Sequence, residues 1–395
     1  FYSAHWFNSP LKVNKSNQDQ NQTVLIVTTS HSPTFEKAIQ NVYGECDIHV
    51  FVMGEQTRII GENSWEISSG SIKEMANGLS LIPKPTTIIF LNLDQMHESG
   101  NQLAEMPNQN GSKERFEIVV IAFYRFIKAL LSDINAQSQL TLKVVTCNAC
   151  IFPGESKIDS MQATLHGFIQ SLSKEYPKWS VSLIDIDRKE INTAAHFLAS
   201  SIIAEESSFG VPVSLRQGQR YQQKLVPTVL PPQEKQLFKA HGVYLIVGGA
   251  SGIGLTLAKY LSAHFSANLI LLGRRALDSE IEKNCLDIEF LGGSVIYVQA
   301  DITQEAQVKM ALNTSKQRYG SLQGVFHSAI VLNDLLIKDM DEFSFRSVVD
   351  PKIKGGQILH EVFHEEPLDF MMFLSSMQSK HIIAKVSAKH IITLV

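Results

Sequence analysis

Three glycines, Gly248, Gly252 and Gly254, stand in a G-x-x-x-G-x-G spacing directly after the apolar run Val243 to Val247. A helix-like pattern, Leu255 to Phe265, follows at once. Strand, Gly-rich turn and helix in that order suit a dinucleotide's pyrophosphate. Small residues let the backbone approach it, and the helix start offers free N–H groups and a partial positive charge. Gly249, Ser251 and Ile253 complete the turn and are counted with it as cofactor-binding candidates. Arg274 and Arg275 close the next apolar run, where an adenosine ribose sits in such arrangements. An acidic residue there would hold the 2′-hydroxyl of NAD, whereas guanidinium groups suit a 2′-phosphate, so NADPH is the expected cofactor.

These residues need strands to deliver them. In the second half the apolar runs Val243–Val247, Asn268–Leu272, Val295–Gln299, Gly324–His327 and Leu368–Leu374 read as strands. Gly252–Phe265, Ser279–Leu291, Gln304–Tyr319 and roughly Phe343–Val362 read as helices. The first half alternates in the same way. Its strands are Tyr2–Phe7, Thr23–Thr28, Ile48–Met53, Thr86–Leu93, Leu140–Thr146 and Val181–Ile186, and its helices Phe35–Val42, Ser112–Leu131, Ser160–Glu175 and Asn192–Ala204. A short strand pair, Val213–Leu215 and Gly218–Leu225, precedes the Pro-rich link VPTVLPP. Strands apolar throughout, alternating with helices, predict parallel sheets covered on both faces. The expectation is α/β with two Rossmann-like subdomains, 1–232 and 233–395, the second incomplete at its C-terminus. The first lacks the phosphate turn: after Thr28 no glycine occurs until Gly44, so it should be a structural partner that binds no nucleotide.

Composition excludes other classes. The chain has 395 residues, 44% of them apolar, ample for a core. A net charge of −4 gives no basic surface for nucleic acid, no run is long enough to span a bilayer, and FYSAHWFNSP is not a signal peptide. A start without Met fits a piece cut from something longer. The cysteines, Cys46, Cys147, Cys150 and Cys285, are too few and scattered for a disulfide framework, which implies a reducing, cytoplasmic setting. Cys147 and Cys150 form a C-x-x-C at a strand end; a redox pair would open a helix and zinc would need two more ligands, so no metal is expected.

At this point the sequence resembles the ketoreductase domain of modular polyketide synthases, a short-chain dehydrogenase/reductase type, over nearly its whole length. In the first half the resemblance rests on the N-terminal Tyr–Trp strand, VVTCNAC, LHGFIQSLSKEYPKWSVSLIDID and SLRQGQRY; in the second it rests on the turn and the motifs that follow. It implies NADPH-dependent reduction of a β-ketoacyl chain held by phosphopantetheine on an acyl carrier protein, among neighbouring synthase domains. Asp301, with Ile302 behind it, resembles the contact to the adenine, although Asp301 also suits a turn ahead of Thr303. His327 and Ser328, in HSAI, take the place of the family's HAA-G segment. On its own terms His327 reads as a structural histidine. Asp334, last of Leu332-Asn333-Asp334, matches the L-D-D loop of the type that gives the D-configured hydroxyl. Lys352, in DPKIKGG, matches the active-site lysine, and Ser376 the serine that hydrogen-bonds the ketone oxygen, with Ser375 as runner-up.

The pattern then departs. Ile330 stands where the family has glycine, costly if a left-handed backbone or close approach is needed there. Val247 replaces the usual threonine. The family's tyrosine acid, thirteen residues after the serine, falls on Lys389, and the asparagine four further on falls on Thr393; the last tyrosine of the chain is Tyr319. The Gly-rich loop is missing and KHII occurs twice, at Lys380 and Lys389, so the tail after about Lys380 reads as a frameshift or broken gene. The fifth reductase strand should lie at an open edge, which invites aggregation or a partner. Three functions follow: a ketoreductase impaired by loss of its tyrosine, for which Lys389 is a poor substitute; a non-catalytic scaffold within a synthase; and a free-standing reductase of small ketones, against which the non-binding first half argues.

Overall fold

A computed structural model describes residues 2–11, 22–93, 109–134, 138–155, 158–206, 209–229 and 237–374. The expected subdomain boundary at 232/233 lies outside them. The first half runs β1 (Tyr2–Asn8), β2 (Thr23–Thr28), α1 (Pro33–Tyr43), β3 (Asp47–Gly54), β4 (Arg58–Gly61), β5 (Ser64–Ser68), α2 (Ile72–Leu79) and β6 (Thr87–Leu91). It continues with α3 (Gln109–Phe116), a π-helical turn (Glu117–Ile121), α4 (Ala122–Asp133), β7 (Leu140–Cys147), α5 (Ser160–Glu175), β8 (Trp179–Ile186), α6 (Glu190–Thr193), α7 (Ala195–Ala204), β9 (Pro212–Arg216) and β10 (Gln219–Pro227). The second half runs β11 (Val243–Val247), α8 (Gly252–Phe265), β12 (Asn268–Gly273), α9 (Ser279–Phe290), β13 (Ser294–Gln299), α10 (Glu305–Tyr319), β14 (Gly324–His327), α11 (Glu342–Phe363) and β15 (Phe370–Phe373).

The second sheet has the order β13-β12-β11-β14-β15, all parallel. Chain order therefore reverses between β11 and β14, the crevice where open α/β sheets bind their ligands. The first sheet repeats this plan in its centre, β5-β3-β2-β6-β7-β8, again parallel. Its ends differ: β9, β10 and β1 extend one side, where β10 pairs antiparallel with both neighbours, and β4 pairs antiparallel with β5 on the other. At the centre of the sheets β11 is buried end to end and β2 at every residue but Thr23, because helices cover both faces. Two α/β subdomains with parallel sheets are thus present, and β15 has β14 as its one strand neighbour among the described residues.

Several elements and breaks were not foreseen, among them the break at Ala194 that divides the expected helix Asn192–Ala204 into α6 and α7. The β4–β5 hairpin and α2 fill a stretch with no expected structure, and the expected helix Ser112–Leu131 is interrupted by the π turn, where Ala122 N–H reaches back to Glu117 O. A π turn adds a residue and rotates what precedes it. Glu117 thereby meets Arg346 of α11 through two bonds of 2.7 and 2.8 Å.

The halves share one core. Phe345, Val348, Val349 and Ile353 of α11 bury into the same cluster as Phe123, Tyr124 and Phe168 of the first half. Phe345 stacks on Tyr124 at 4.5 Å and meets Phe168 edge-on at 5.7 Å. Arg125 grips Glu342 with two 2.8 Å bonds at the edge of this contact.

Candidate active site

The glycine turn is shaped by contact. Gly248 has φ +76°, its N–H donates to Leu272 O at 2.7 Å, and a Cβ there would lie 2.9 Å from Ala329 Cα. At Gly254 a Cβ would lie 2.3 Å from Gly248 O, so only a hydrogen lets α8 start this close to β11. Gly249 is similarly crowded, by Leu271 and Ile246 O. Ser251 occupies the N-cap position of α8, and its hydroxyl makes no capping bond. Ile253 presents its side chain to solvent in the first turn. The helix start therefore keeps N–H groups free for an anion.

The first half handles the same position differently. At the start of α1, Glu36 Oε1 accepts from Ser32 N–H at 2.6 Å and from His31 Nδ1 at 3.1 Å, and Glu36 is buried. The carboxyl group thus reaches back to the N–H of the N-cap residue, as in a capping box.

The other candidates gather at the same ends of the second sheet. Arg274 and Arg275 follow β12, both exposed. Arg275 is committed to Asp278 and to Glu280 (2.8 Å), whereas Arg274 has no ion-pair partner among the described residues. After β13, Asp301 Oδ1 accepts from Thr303 N–H (2.9 Å) and Thr303 Oγ1 (2.8 Å), the turn role that its position suggested. Ile302 packs in the core against Gly355 of α11.

His327, at the end of β14, has no exposed surface, and its Nε2 bonds the carbonyl oxygen of Pro351, at 2.8 Å. Burial, then the neighbouring Lys352 charge, pushes its pKa down to about 4, so the ring stays neutral and donates to that carbonyl. Ser328 N–H ties the strand end to Val247 O at 2.9 Å. Ile330 is exposed and its φ is not positive, so the β-branched side chain carries none of the backbone strain that a required glycine would imply. Asp334 is exposed on the loop that follows. Lys352, half-buried on α11, donates from Nζ to Leu374 O at 3.1 Å, and burial lowers its pKa to about 8. A lysine so placed can exchange a proton near neutral pH at the end of β15. Ser375, Ser376, Lys389 and Thr393 lie outside the described residues.

The fold and the cradle can be compared with known proteins. The family described as KR domain matches residues 242–387. Polyketide synthase ThaG of Burkholderia thailandensis is 36% identical over 257 residues, 65% of this chain and 4% of that protein. Polyketide synthase PksN of Bacillus subtilis is 32% identical over 313 residues, 79% of this chain and 6% of that protein. The chain belongs to the ketoreductase (KR) domains of polyketide synthases. It spans only a few per cent of the length of these relatives. The crystal structure of an N-terminal ketoreductase from the macrolactin assembly line superposes over 100% of this chain and 78% of that one, with TM-score 0.78 at 19% identity, a likeness of fold. KR domains are reductases of the nicotinamide-dependent type.

Two features of this ketoreductase domain bear on other chemistry. Cys150, His166 and Asp185 bring one potential ligand atom each within 4.8 Å. Asp185, however, already accepts from Thr146 Oγ1 (2.9 Å), Ala149 N–H (2.8 Å) and Arg216 Nη2 (2.6 Å), so a cation would have to displace an arginine. Burial pushes the neighbouring Cys147 thiol up to about 12, which keeps it a thiol. Among the described residues, no helix is long and apolar enough to cross a membrane.

Sequence reasoning missed the first-half residues that reach this site. Tyr124, Lys128 and Glu175 all bond the loop carrying Asp334. Tyr124 and Lys128 are spaced i, i+4 on one helix face, but the partner of that face lies more than two hundred residues away in sequence.

Proposed function

We propose that the domain binds NADPH between the Gly248–Gly254 turn, Arg274 and the ends of β13 and β14, with catalytic subdomain 233–395 and structural subdomain 1–232. Its ancestral reaction is reduction of a β-ketoacyl thioester on an acyl carrier protein to the β-hydroxyacyl form. The observation that carries this reading is the pair of close approaches at Gly248 and Gly254, beside a helix start left free of side-chain caps. The cradle fits a pyrophosphate, and the nicotinamide, when bound, supplies hydride to the carbonyl. The chain's own residues hold the dinucleotide, exclude bulk from the turn and, through Lys352 with its pKa near 8, relay a proton at the end of β15.

Negative charge on the ketone oxygen needs a proton donor, and the position of the family's tyrosine falls on Lys389 instead of a phenol. We therefore place turnover well below that of a domain with the phenol. The second reading, a non-catalytic scaffold inside a synthase, is favoured by that same absence and by the large shared core of the two halves.

The test is a fluorescence titration with NADPH, followed by NADPH oxidation with a soluble β-ketoacyl thioester. Binding with slow or absent oxidation supports the impaired reductase. A folded chain that binds no NADPH overturns it in favour of the scaffold.

A further inference from the structure

Between β14 and α11 the chain crosses the mouth of the crevice in a loop, residues 328–341. It begins against Gly248 through Ala329 and carries Leu332 and Asp334 exposed. This loop has no sheet or helix to satisfy its backbone, so its polar groups need partners from elsewhere. Its foot is a tight turn in which Asp339 and Met340 N–H both return to Leu336 O. Four further main-chain groups of the foot are taken by side chains of the first half. Ile337 N–H donates to Glu175 Oε2 at 2.8 Å. Lys128 Nζ donates to Ile337 O at 3.1 Å and to Lys338 O at 2.5 Å. Tyr124 hydroxyl donates to Met340 O at 2.7 Å. The side chains of Ile337 and Met340 are buried in the shared core.

We propose that Lys128 and Glu175 are positioning residues for the substrate loop: they fix its foot to the first half and so set where Asp334 and Leu332 stand at the mouth of the crevice. The claim rests on the ketoreductase reading for the loop's role toward substrate, but the geometry of the foot stands apart from it. It also gives the first half a part in the reaction. Glu175 suits the task because it is the last residue of α5, within reach of the turn, with Asp339, Lys338 and Lys128 facing it. Lys128 suits it because one ammonium can donate to two successive carbonyls, whereas a methionine of similar length has no N–H to donate.

The experiment uses the full chain and the variants Lys128→Met, which keeps the stem, Glu175→Ala and Glu175→Gln, whose amide oxygen still accepts. Amide hydrogen exchange is followed in 328–341 and, as control, in β11 and β14. The expected result is at least tenfold faster exchange in the loop for Lys128→Met and Glu175→Ala, unchanged exchange in the two strands, and near wild-type behaviour for Glu175→Gln. With NADPH present, affinity for a soluble β-ketoacyl thioester should fall at least fivefold, while the NADPH Kd stays within twofold. Loop exchange at the wild-type rate, loosening of loop and strands together, or unchanged thioester affinity overturns the proposal. If the wild-type chain binds neither NADPH nor thioester, the ketoreductase reading fails by itself, and the exchange measurement still decides the clamp.

Discussion

Arg274 and Arg275 are adjacent, alike and both exposed, yet they should contribute unequally to recognition of a 2′-phosphate. Arg275 is held by Asp278 and Glu280, and Asp278 in turn caps α9 by accepting from Ile281 N–H at 2.9 Å. To reach a phosphate it must leave two carboxylates, and its net gain is small. Arg274 leaves no such partner among the described residues. A charged hydrogen bond contributes about 1.5–3 kcal/mol, or about 10- to 150-fold in affinity. At an exposed strand end the lower part of that range applies, so Arg274→Ala should weaken NADPH binding about tenfold. NADH affinity should not change, since NADH has no 2′-phosphate, and Arg275→Ala should cost no more than about twofold in NADPH affinity. The assay is titration of nucleotide fluorescence for both variants with both cofactors, at low and at high salt. The Arg274 effect should shrink at high salt, because the contact is screened over a Debye length of about 8 Å at physiological ionic strength. Equal losses for NADH and NADPH, or a larger loss from Arg275→Ala, would refute the reasoning.

Gly254→Ala places a methyl carbon 2.3 Å from Gly248 O, so nucleotide binding should fall at least about 100-fold while the far-ultraviolet circular dichroism stays unchanged. Phe345→Ala removes a fully buried ring that both Tyr124 and Phe168 touch; chemical denaturation should show a loss of about 3–5 kcal/mol. Lys352 has a folded pKa near 8, below the ordinary lysine value, so between about pH 8 and 10 the unfolded chain binds more protons than the native one. Its contribution therefore makes stability rise with pH across that window, by about 1–2 kcal/mol once partial exposure is discounted. Lys352→Met should remove that rise from the denaturation profile, and an identical profile would show that the lysine is solvated.

Much of the architecture was legible because the strands are buried on both faces. Val243–Val247 is apolar throughout and Thr23–Thr28 is apolar between its end threonines, and both match the observed strands residue for residue. The helix Ser160–Glu175 was equally clear, with Asp159 capping it. The β4–β5 hairpin was obscure because an edge strand is exposed along its length, which leaves no apolar run to notice. Helix α2 did carry a local signal: Ser71 and Glu74 have the spacing of a capping box, and the Ser71 hydroxyl accepts from Glu74 N–H and donates to Glu74 Oε2. The π turn had no such sign, since it answers to Arg346, far along the chain.

The sequence by itself determined the glycine spacing after Val243–Val247, the alternation of strand and helix, the ketoreductase resemblance and the placing of Lys389 where that resemblance expects a tyrosine. These are local facts, written in spacing and residue type. Only the tertiary structure decided which arginine is spoken for, that His327 is neutral and structural, that Ile330 carries no backbone strain, and that the first half holds the foot of the loop. Those depend on which groups meet after folding. Burial sets the proton equilibria of His327 and Lys352, and hydrogen-bond partners more than two hundred residues apart in sequence fix residues 337–340. No pattern along the chain encodes such meetings; the packing of α11 against α4 and α5 creates them.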